Sequence, residues 1–147
     1  MQKVEVLKSL KEIGLVPVLR AESVEKALAL AEAIAAGGVT VLEITMTVPG
    51  AIQVMRKLAE QRHDILIGAG TVLDAETARA CILEGAKFVV SPALNLKTIE
   101  MCHRYSISAL PGTSSRSRRP LGSICGSVPI ARLSMRTGFG FARICEH

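Results

Sequence analysis

The chain has 147 residues and a mass of 15.6 kDa, which is the size of one domain and too small for two ordinary ones. Apolar residues make up 49% and charged residues 21%, which is typical of a soluble globular protein and excludes a disordered chain. Aromatic residues make up only 3%, which argues against stacking on single-stranded nucleic acid. The most apolar window is interrupted by Glu32, Gly37 and Gly38, so no membrane span is predicted.

The net charge of +5 comes entirely from the last quarter of the chain. Residues 1–112 hold twelve basic and twelve acidic side chains, whereas residues 113–147 hold six arginines and one glutamate. Two interpretations remain open: a basic tail that binds phosphate groups, and a change of composition in a segment foreign to the fold. The arginines follow no helical or strand period, which favours the second interpretation.

Cysteine spacing and the first residues indicate where the protein resides. The four cysteines lie about twenty residues or more apart, and no histidine stands at metal-ligand spacing from them. We therefore expect no zinc site and no metal cofactor. The first ten residues also lack the apolar core of a secretion signal, so the prediction is a cytoplasmic protein with reduced thiols.

The predicted elements alternate along the first 112 residues, after an opening amphipathic helix over residues 2–12. Short, β-branched apolar segments predict strands over residues 15–20, 39–47, 65–72, 87–92 and 107–112. Between them, helices are predicted to start after N-caps or at a proline-tolerant first turn, at Ser23, Val48-Pro49, Asp74 and Asn95.

This alternation predicts an α/β fold built on a parallel sheet. The strands are nearly all apolar, as expected for a sheet covered on both faces. Five successive βα units are typical of a (β/α) barrel or of a doubly wound sheet, and the pattern alone does not separate the two. After residue 112 the alternation stops, which predicts an irregular C-terminal tail. Five barrel strands would then leave both edges of the sheet unpaired.

Candidate site residues follow from the rule that such folds act at the carboxyl ends of their strands. Glu43 lies in an otherwise apolar strand and shares one face with Thr45 and Thr47. A carboxylate there is costly unless it is paired or functional, and burial raises the pKa of a carboxyl towards the range of acid/base catalysis. The alternative is a structural salt bridge, for which Arg20 at the end of the first strand is the candidate.

The other strand ends carry weaker signals. The third strand ends in GAGT (68–71), in which the glycines allow close backbone approach and Thr71 offers a hydroxyl. Taken alone, this motif is a common packing feature. Pro92 and Pro111 mark the ends of the fourth and fifth strands, and by themselves they are turn residues.

Together, five segments in register resemble one known family. They are PVLR (17–20), AGGVTVLEITMTVPGA (36–51), IGAGTVLD (67–74), FVVSPALN (88–95) and LPGT (110–113). Residues 1–113 thereby resemble the 2-keto-3-deoxy-6-phosphogluconate (KDPG)/4-hydroxy-2-oxoglutarate (KHG) aldolases. This resemblance implies a (β/α)8 TIM barrel, usually a homotrimer, that needs no cofactor. The expected fold is therefore a partial TIM barrel with the first five βα units and an irregular C-terminal tail.

The resemblance also implies a reaction and a set of residues. Family members reversibly cleave KDPG to pyruvate and glyceraldehyde 3-phosphate, or KHG to pyruvate and glyoxylate. By position, Glu43 is implied to be the catalytic proton shuttle, and the residues implied to bind substrate are Arg20, Thr47, Thr71 and Pro92. Some members have an arginine where this chain has Thr47. The expected partner is a small 2-keto acid, with no nucleic acid and no membrane.

One implied residue is missing from the sequence. The resemblance implies a Schiff-base lysine in a Lys-(Leu/Val)-Phe-Pro motif on strand six, roughly twenty residues past Gly112. No lysine follows Lys97, and arginine stays protonated and cannot form an imine. Lys87 is predicted at the amino end of its strand and Lys97 on a helix, so neither is expected to replace it.

Two domain segments and two functions are therefore predicted. Residues 1–113 are expected to form the partial aldolase barrel. Residues 114–147 are expected to be an aberrant Arg/Ser/Gly-rich tail foreign to the fold, after C-terminal truncation or a shift of the reading frame. The first functional hypothesis is a class I aldolase. The alternative is a catalytically inactive fragment or a non-enzymatic α/β module that lacks the lysine.

Overall fold

The computed structural model describes residues 3–112 and, as backbone strands, residues 130–132 and 140–144. The helices are α1 (Lys3–Ile13), α2 (Val24–Ala36), α3 (Ala51–Gln61), α4 (Ala75–Leu83) and α5 (Leu96–Arg104). The strands are β1 (Leu15–Leu19), β2 (Val41–Thr45), β3 (Leu66–Gly70), β4 (Phe88–Ser91), β5 (Ser108–Pro111), β6 (Ile130–Arg132) and β7 (Gly140–Ile144). The predicted alternation of helix and strand up to residue 112 is confirmed.

Three of the predicted helix starts are confirmed by their N-caps. The side chains of Ser23, Asp74 and Asn95 each accept a hydrogen bond from the backbone N–H three residues later. The prediction that α3 starts at Val48-Pro49 is wrong by two or three residues. Gly50 precedes α3 in a left-handed conformation with φ of 69° and provides no side-chain cap, so Pro49 lies in the turn before the helix.

The order of the strands decides between the two predicted architectures. The first five strands are parallel and lie in the order β5-β4-β3-β2-β1, so each strand is beside its neighbour in sequence. A doubly wound sheet would instead reverse direction at its first strand. Sequential order is the order of a (β/α)8 barrel, and the structure therefore contains the first part of such a barrel.

The two faces of the sheet carry separate apolar clusters. Alternate strand residues such as Leu42, Ile44 and Ala69 pack against the helices on the outer face. The inner face carries a second cluster, in which Val6 and Leu10 of α1 pack with residues of all five strands: Val16, Val41, Leu66, Phe88 and Leu110. Helix α1 contacts both β1 and β5, although these strands lie at opposite ends of the parallel section. The sheet therefore curls around α1, as the wall of a barrel does.

Two short strands in the C-terminal segment were not predicted. β7 pairs antiparallel with β1, and β6 pairs antiparallel with β7. The expectation that the β1 edge is unpaired is therefore wrong, and the predicted irregular tail differs from the structure at these two strands. Segments of three and five residues are too short to show a reliable strand period. The remaining part of the predicted aberrant tail, residues 114–129, 133–139 and 145–147, lies outside the described residues.

Within the described part of the chain, none of the helices combines the length and the apolar character required to cross a lipid bilayer.

Candidate active site at the carboxyl ends of the strands

Glu43 is buried on the inner face of the sheet. It is the third residue of β2, is only 5% exposed and lies in register with Gly68 of β3. Its side chain extends over Gly70, where an added Cβ would overlap with the Glu43 carboxylate. A Cβ at Gly68 would similarly overlap with the ring of Phe88. The two glycines of the GAGT motif thus make room for side chains from the two neighbouring strands, one polar and one aromatic.

The candidate ion pair between Glu43 and Arg20 is not observed among the described residues. Arg20 follows the end of β1 and is exposed, whereas the residue of β1 in register with Glu43 is Val18. Glu43 therefore lies two positions deeper in the sheet than Arg20. Among the ion pairs of the described residues, none joins Arg20 to Glu43.

Thr45 and Thr47 continue the face of Glu43 towards the carboxyl end of β2. Thr45 is the last residue of β2 and is fully buried, while Thr47 follows in an exposed turn. Their Oγ1 atoms are hydrogen bonded at 2.5 Å. The shared face of these residues was predicted, but their hydrogen bond was not. Two hydroxyl residues at positions i and i+2 of a strand end are the sequence signal that could have indicated it.

Thr71 adopts a backbone conformation that is rare for its residue type. It has φ of 58°, in the left-handed region, which a β-branched residue seldom occupies. Hydrogen bonds on either side hold it there: Met46 N–H donates to the Gly70 carbonyl, and Val72 N–H donates to the Val90 carbonyl. Thr71 thus lies between a backbone bond to the residue after β2 and a backbone bond to β4. Strain of this kind persists where surrounding structure imposes it, and it is concentrated at functional sites.

Pro92 ends β4 on the same edge of the sheet. Pro92 is exposed, and the preceding Ser91 is buried with its hydroxyl donating to the carbonyl of Ala93 at 2.7 Å. The Gly112 N–H donates to the Ser91 carbonyl at 2.7 Å. A side chain at position 112 would press on the Pro92 backbone, so glycine allows the ends of β4 and β5 to approach each other closely.

The lysines lie where sequence analysis expected them. Lys87 is exposed immediately before β4, at the amino end of that strand, and Lys97 is exposed in the first turn of α5. Lys97 borders an open depression of about 560 Å³, which is also lined by Leu73, Ser91, Leu94 and Asn95. This depression lies on the same side of the sheet as the carboxyl ends of β3 and β4.

Parallel strands bring all of the predicted site residues to one edge of the sheet. The most closely joined are Glu43 with Gly70, and Thr45 with Thr47. A buried carboxylate can hold or transfer a proton, and an exposed hydroxyl such as that of Thr47 can donate a hydrogen bond to an anion. The fold and this site define a section of a (β/α)8 barrel with a buried carboxylate near the carboxyl ends of its strands.

Comparison with known proteins identifies the family. Residues 6–127 match the family model described as "KDPG and KHG aldolase". A 2-dehydro-3-deoxy-phosphogluconate aldolase of Haemophilus influenzae is 36% identical over 111 residues, which are 76% of this chain and 52% of that protein. The KHG/KDPG aldolase of Escherichia coli is 35% identical over 107 residues, covering 73% of this chain and 50% of that protein. The chain therefore belongs to the KDPG/KHG aldolase family.

Solved structures agree with this assignment. The KDPG aldolase of Legionella pneumophila, described with pyruvate captured at low pH as a covalent carbinolamine intermediate, matches with a TM-score of 0.64 and 37% identity. The match covers 69% of this chain and 50% of that structure. The chain thus spans about half the length of the relatives it matches. The family model extends to residue 127, past the point at which the sequence pattern changes.

Proposed function

We propose that this chain supplies the proton-transfer and keto-acid-binding part of a class I aldolase site. The reaction is the reversible cleavage of KDPG to pyruvate and glyceraldehyde 3-phosphate, of KHG to pyruvate and glyoxylate, or of both. The observation that carries the proposal is the buried Glu43 carboxylate, held over Gly70 on the inner face of a barrel section. A buried carboxylate beside the substrate-facing edge of the strands suits a proton shuttle.

Each of the other predicted residues has a role in this proposal. The hydroxyls of Thr47 and Thr71 donate hydrogen bonds to the pyruvate part of the substrate, and Pro92 lines the same pocket. The guanidinium of Arg20 attracts the anionic groups of the substrate. Exposure of Arg20 and Thr47 leaves both available to a ligand, and the imposed φ of Thr71 fixes the position at which its side chain leaves the backbone.

Carbon–carbon cleavage also requires an amine that forms an imine with the keto carbon, because the protonated imine accepts the electron pair of the breaking bond. The sequence has no lysine after Lys97, and Lys97 lies on a helix, not on a strand. This observation favours the second candidate function, in which these 147 residues bind the keto acid without turning it over. The proposed partner is a small 2-keto acid, in the cytoplasm, with the homotrimer of the family as the proposed assembly.

An added amine separates the two candidates experimentally. Pyruvate is mixed in D2O with the full chain and a small primary amine such as methylamine, which forms the imine without a protein lysine. Exchange of the pyruvate methyl protons for deuterium is then followed by NMR. We expect the chain to accelerate this exchange only when the amine is present, and we expect Glu43→Gln to abolish the acceleration.

Two control variants complete the experiment. Thr40→Val, at the exposed position before β2, is expected to behave as the wild type. The second control is Lys97→Met. If the wild type exchanges the pyruvate methyl protons without added amine and Lys97→Met does not, Lys97 forms the imine. If Glu43→Gln exchanges as fast as the wild type in the presence of methylamine, the proposed role of Glu43 is wrong.

A further inference from the structure

We propose that Thr45 is a positioning residue, which holds the Thr47 hydroxyl as a hydrogen-bond donor directed at the anionic end of the keto acid. The substrate part of this inference rests on the proposed function. The geometry of the two threonines does not depend on it, and the two parts are tested separately below.

The two hydroxyl oxygens are close together, but the two side chains differ in their exposure to solvent. Their Oγ1 atoms are 2.5 Å apart, but Thr45 is fully buried at the end of β2 whereas Thr47 is exposed in the turn that follows. Thr45 is also in register with Gly70, which is the glycine over which the Glu43 side chain extends. The pair therefore links the buried part of the inner face to the solvent at the catalytic edge.

Burial decides which hydroxyl donates. In the described part of the chain, the bond to Thr47 is the one hydrogen bond of the Thr45 side chain. If Thr47 were the donor, the Thr45 proton would be buried without an acceptor, which is costly. The exposed Thr47 proton can instead be donated to water or to a ligand. Thr45 O–H therefore donates to Thr47 Oγ1.

Because Thr45 donates to it, the Thr47 hydroxyl is free to act as a hydrogen-bond donor towards a ligand. Its oxygen accepts from Thr45, so its own proton points away from the protein interior and is available to an acceptor in the site. A hydroxyl that already accepts a hydrogen bond is polarised and becomes a better donor. It also loses rotational freedom, because only one χ1 rotamer keeps the bond to Thr45. A carboxylate is the acceptor that gains most from such a donor, since hydrogen bonds to charged groups are stronger than neutral ones.

A merely structural role for Thr45 predicts different behaviour. In that case the hydrogen bond to Thr47 would only satisfy the buried Thr45 hydroxyl. Removing the Thr45 hydroxyl would then leave the Thr47 side chain and its affinity for the ligand unchanged. Thr45→Val keeps the branched shape and removes the donor, whereas Thr45→Ser keeps the donor. Thr40→Val is the matched control, because it removes a hydroxyl from the exposed residue just before β2, at the opposite end from Thr45.

The first measurement is made on the full chain without ligand. Three-bond couplings from the Thr47 methyl carbon to the backbone nitrogen and carbonyl report its χ1 rotamer. We expect one rotamer in the wild type, in Thr45→Ser and in Thr40→Val, and averaged couplings in Thr45→Val. A single unchanged rotamer in Thr45→Val would overturn the positioning role.

The second measurement is the affinity for pyruvate, from chemical-shift titration of the same four proteins. We expect the Kd to rise about fivefold to tenfold in Thr45→Val, and to stay near the wild-type value in Thr45→Ser and Thr40→Val. If Thr45→Ser is as weak as Thr45→Val, or if Thr45→Val binds like the wild type, the inference about the ligand is wrong. If the wild type binds no pyruvate, the proposed function fails for this chain, and the couplings still decide the positioning role.

Discussion

The carboxylate of Glu43 on β2 occupies the space that a side chain at position 70 on β3 would fill. The two residues are offset along neighbouring strands, since Glu43 is in register with Gly68 and Thr45 with Gly70. The Glu43 side chain therefore leans towards the carboxyl end of the sheet, where substrates of barrel enzymes bind. A glycine on β3 thus leaves room for the Glu43 side chain of β2 to take this direction.

Gly70→Ala is expected to destabilise the protein by about 1–3 kcal/mol, because the buried Glu43 side chain must move to admit the methyl group. The cost is expected to be smaller in a Glu43→Ala background, with a coupling of about 1 kcal/mol between the two sites. Urea denaturation of the two single variants and the double variant measures this coupling. Gly68→Ala is the matched control, since its new Cβ meets Phe88 and not Glu43. Additive effects of Gly70→Ala and Glu43→Ala would contradict the prediction.

Thr71→Gly is expected to raise the free energy of unfolding by about 1 kcal/mol, because glycine adopts a positive φ without strain. We expect the released strain to exceed the entropic cost of fixing a glycine on folding. The same change removes the hydroxyl and is expected to weaken pyruvate binding. Ser106→Gly is the control: Ser106 has φ of 56° in the turn after α5, so it should gain stability and leave pyruvate affinity unchanged. A Thr71→Gly variant that is less stable than the wild type would contradict this prediction.

Asp74 is expected to stabilise α4 in a pH-dependent manner. The hydrogen bond from the Thr77 backbone N–H to its carboxylate lowers the pKa of Asp74, so the folded state holds this group ionised to lower pH than the unfolded state does. Its contribution is complete above the unfolded pKa of about 4 and is lost as the pH falls through the folded value. Asp74→Ala should cost about 1 kcal/mol at pH 7 and less at pH 3. In urea denaturation, Asn95→Ala, at the uncharged cap of α5, should show no such pH dependence.

The thiols of Cys81 and Cys102 are expected to be unreactive in the folded protein. Burial raises the pKa of each to about 11, so neither forms much thiolate at pH 8. Iodoacetamide should leave both unmodified in buffer and alkylate both in urea, as measured by peptide mass spectrometry. Because the unfolded thiols ionise first, their burial should also contribute less to stability as the pH rises above about 8.5. Rapid alkylation of either residue without denaturant would contradict its burial.

Local signals explain how much of the fold could be predicted. The caps at Ser23, Asp74 and Asn95 are correct because a cap forms within four residues, and those residues are contiguous in the sequence. The predicted start of α3 is wrong because Gly50 adopts a left-handed conformation before the helix, and no local sequence pattern predicted this. The strand β7 was missed because its pairing partner, β1, lies more than a hundred residues away.

The candidate site was predictable only in part. Glu43 stands out in an apolar strand, and period two places Thr45 and Thr47 on its face. The hydrogen bond between the threonines, the space that Gly70 provides and the positive φ of Thr71 depend on the register of β2 with β3 and on the turn towards β4. Register is a property of paired strands and is not encoded in either strand alone.

The sequence by itself determined the alternation of strands and helices, the capped helix starts, the acid in the second strand, and the family to which the first 113 residues bear a resemblance. These features depend on neighbouring residues or on a linear order of motifs. The tertiary structure decided that the strands lie in sequential order around α1, and that the Glu43 side chain extends over Gly70 towards the carboxyl edge. A barrel and a doubly wound sheet share the same local pattern, so only the pairing of distant strands can distinguish them.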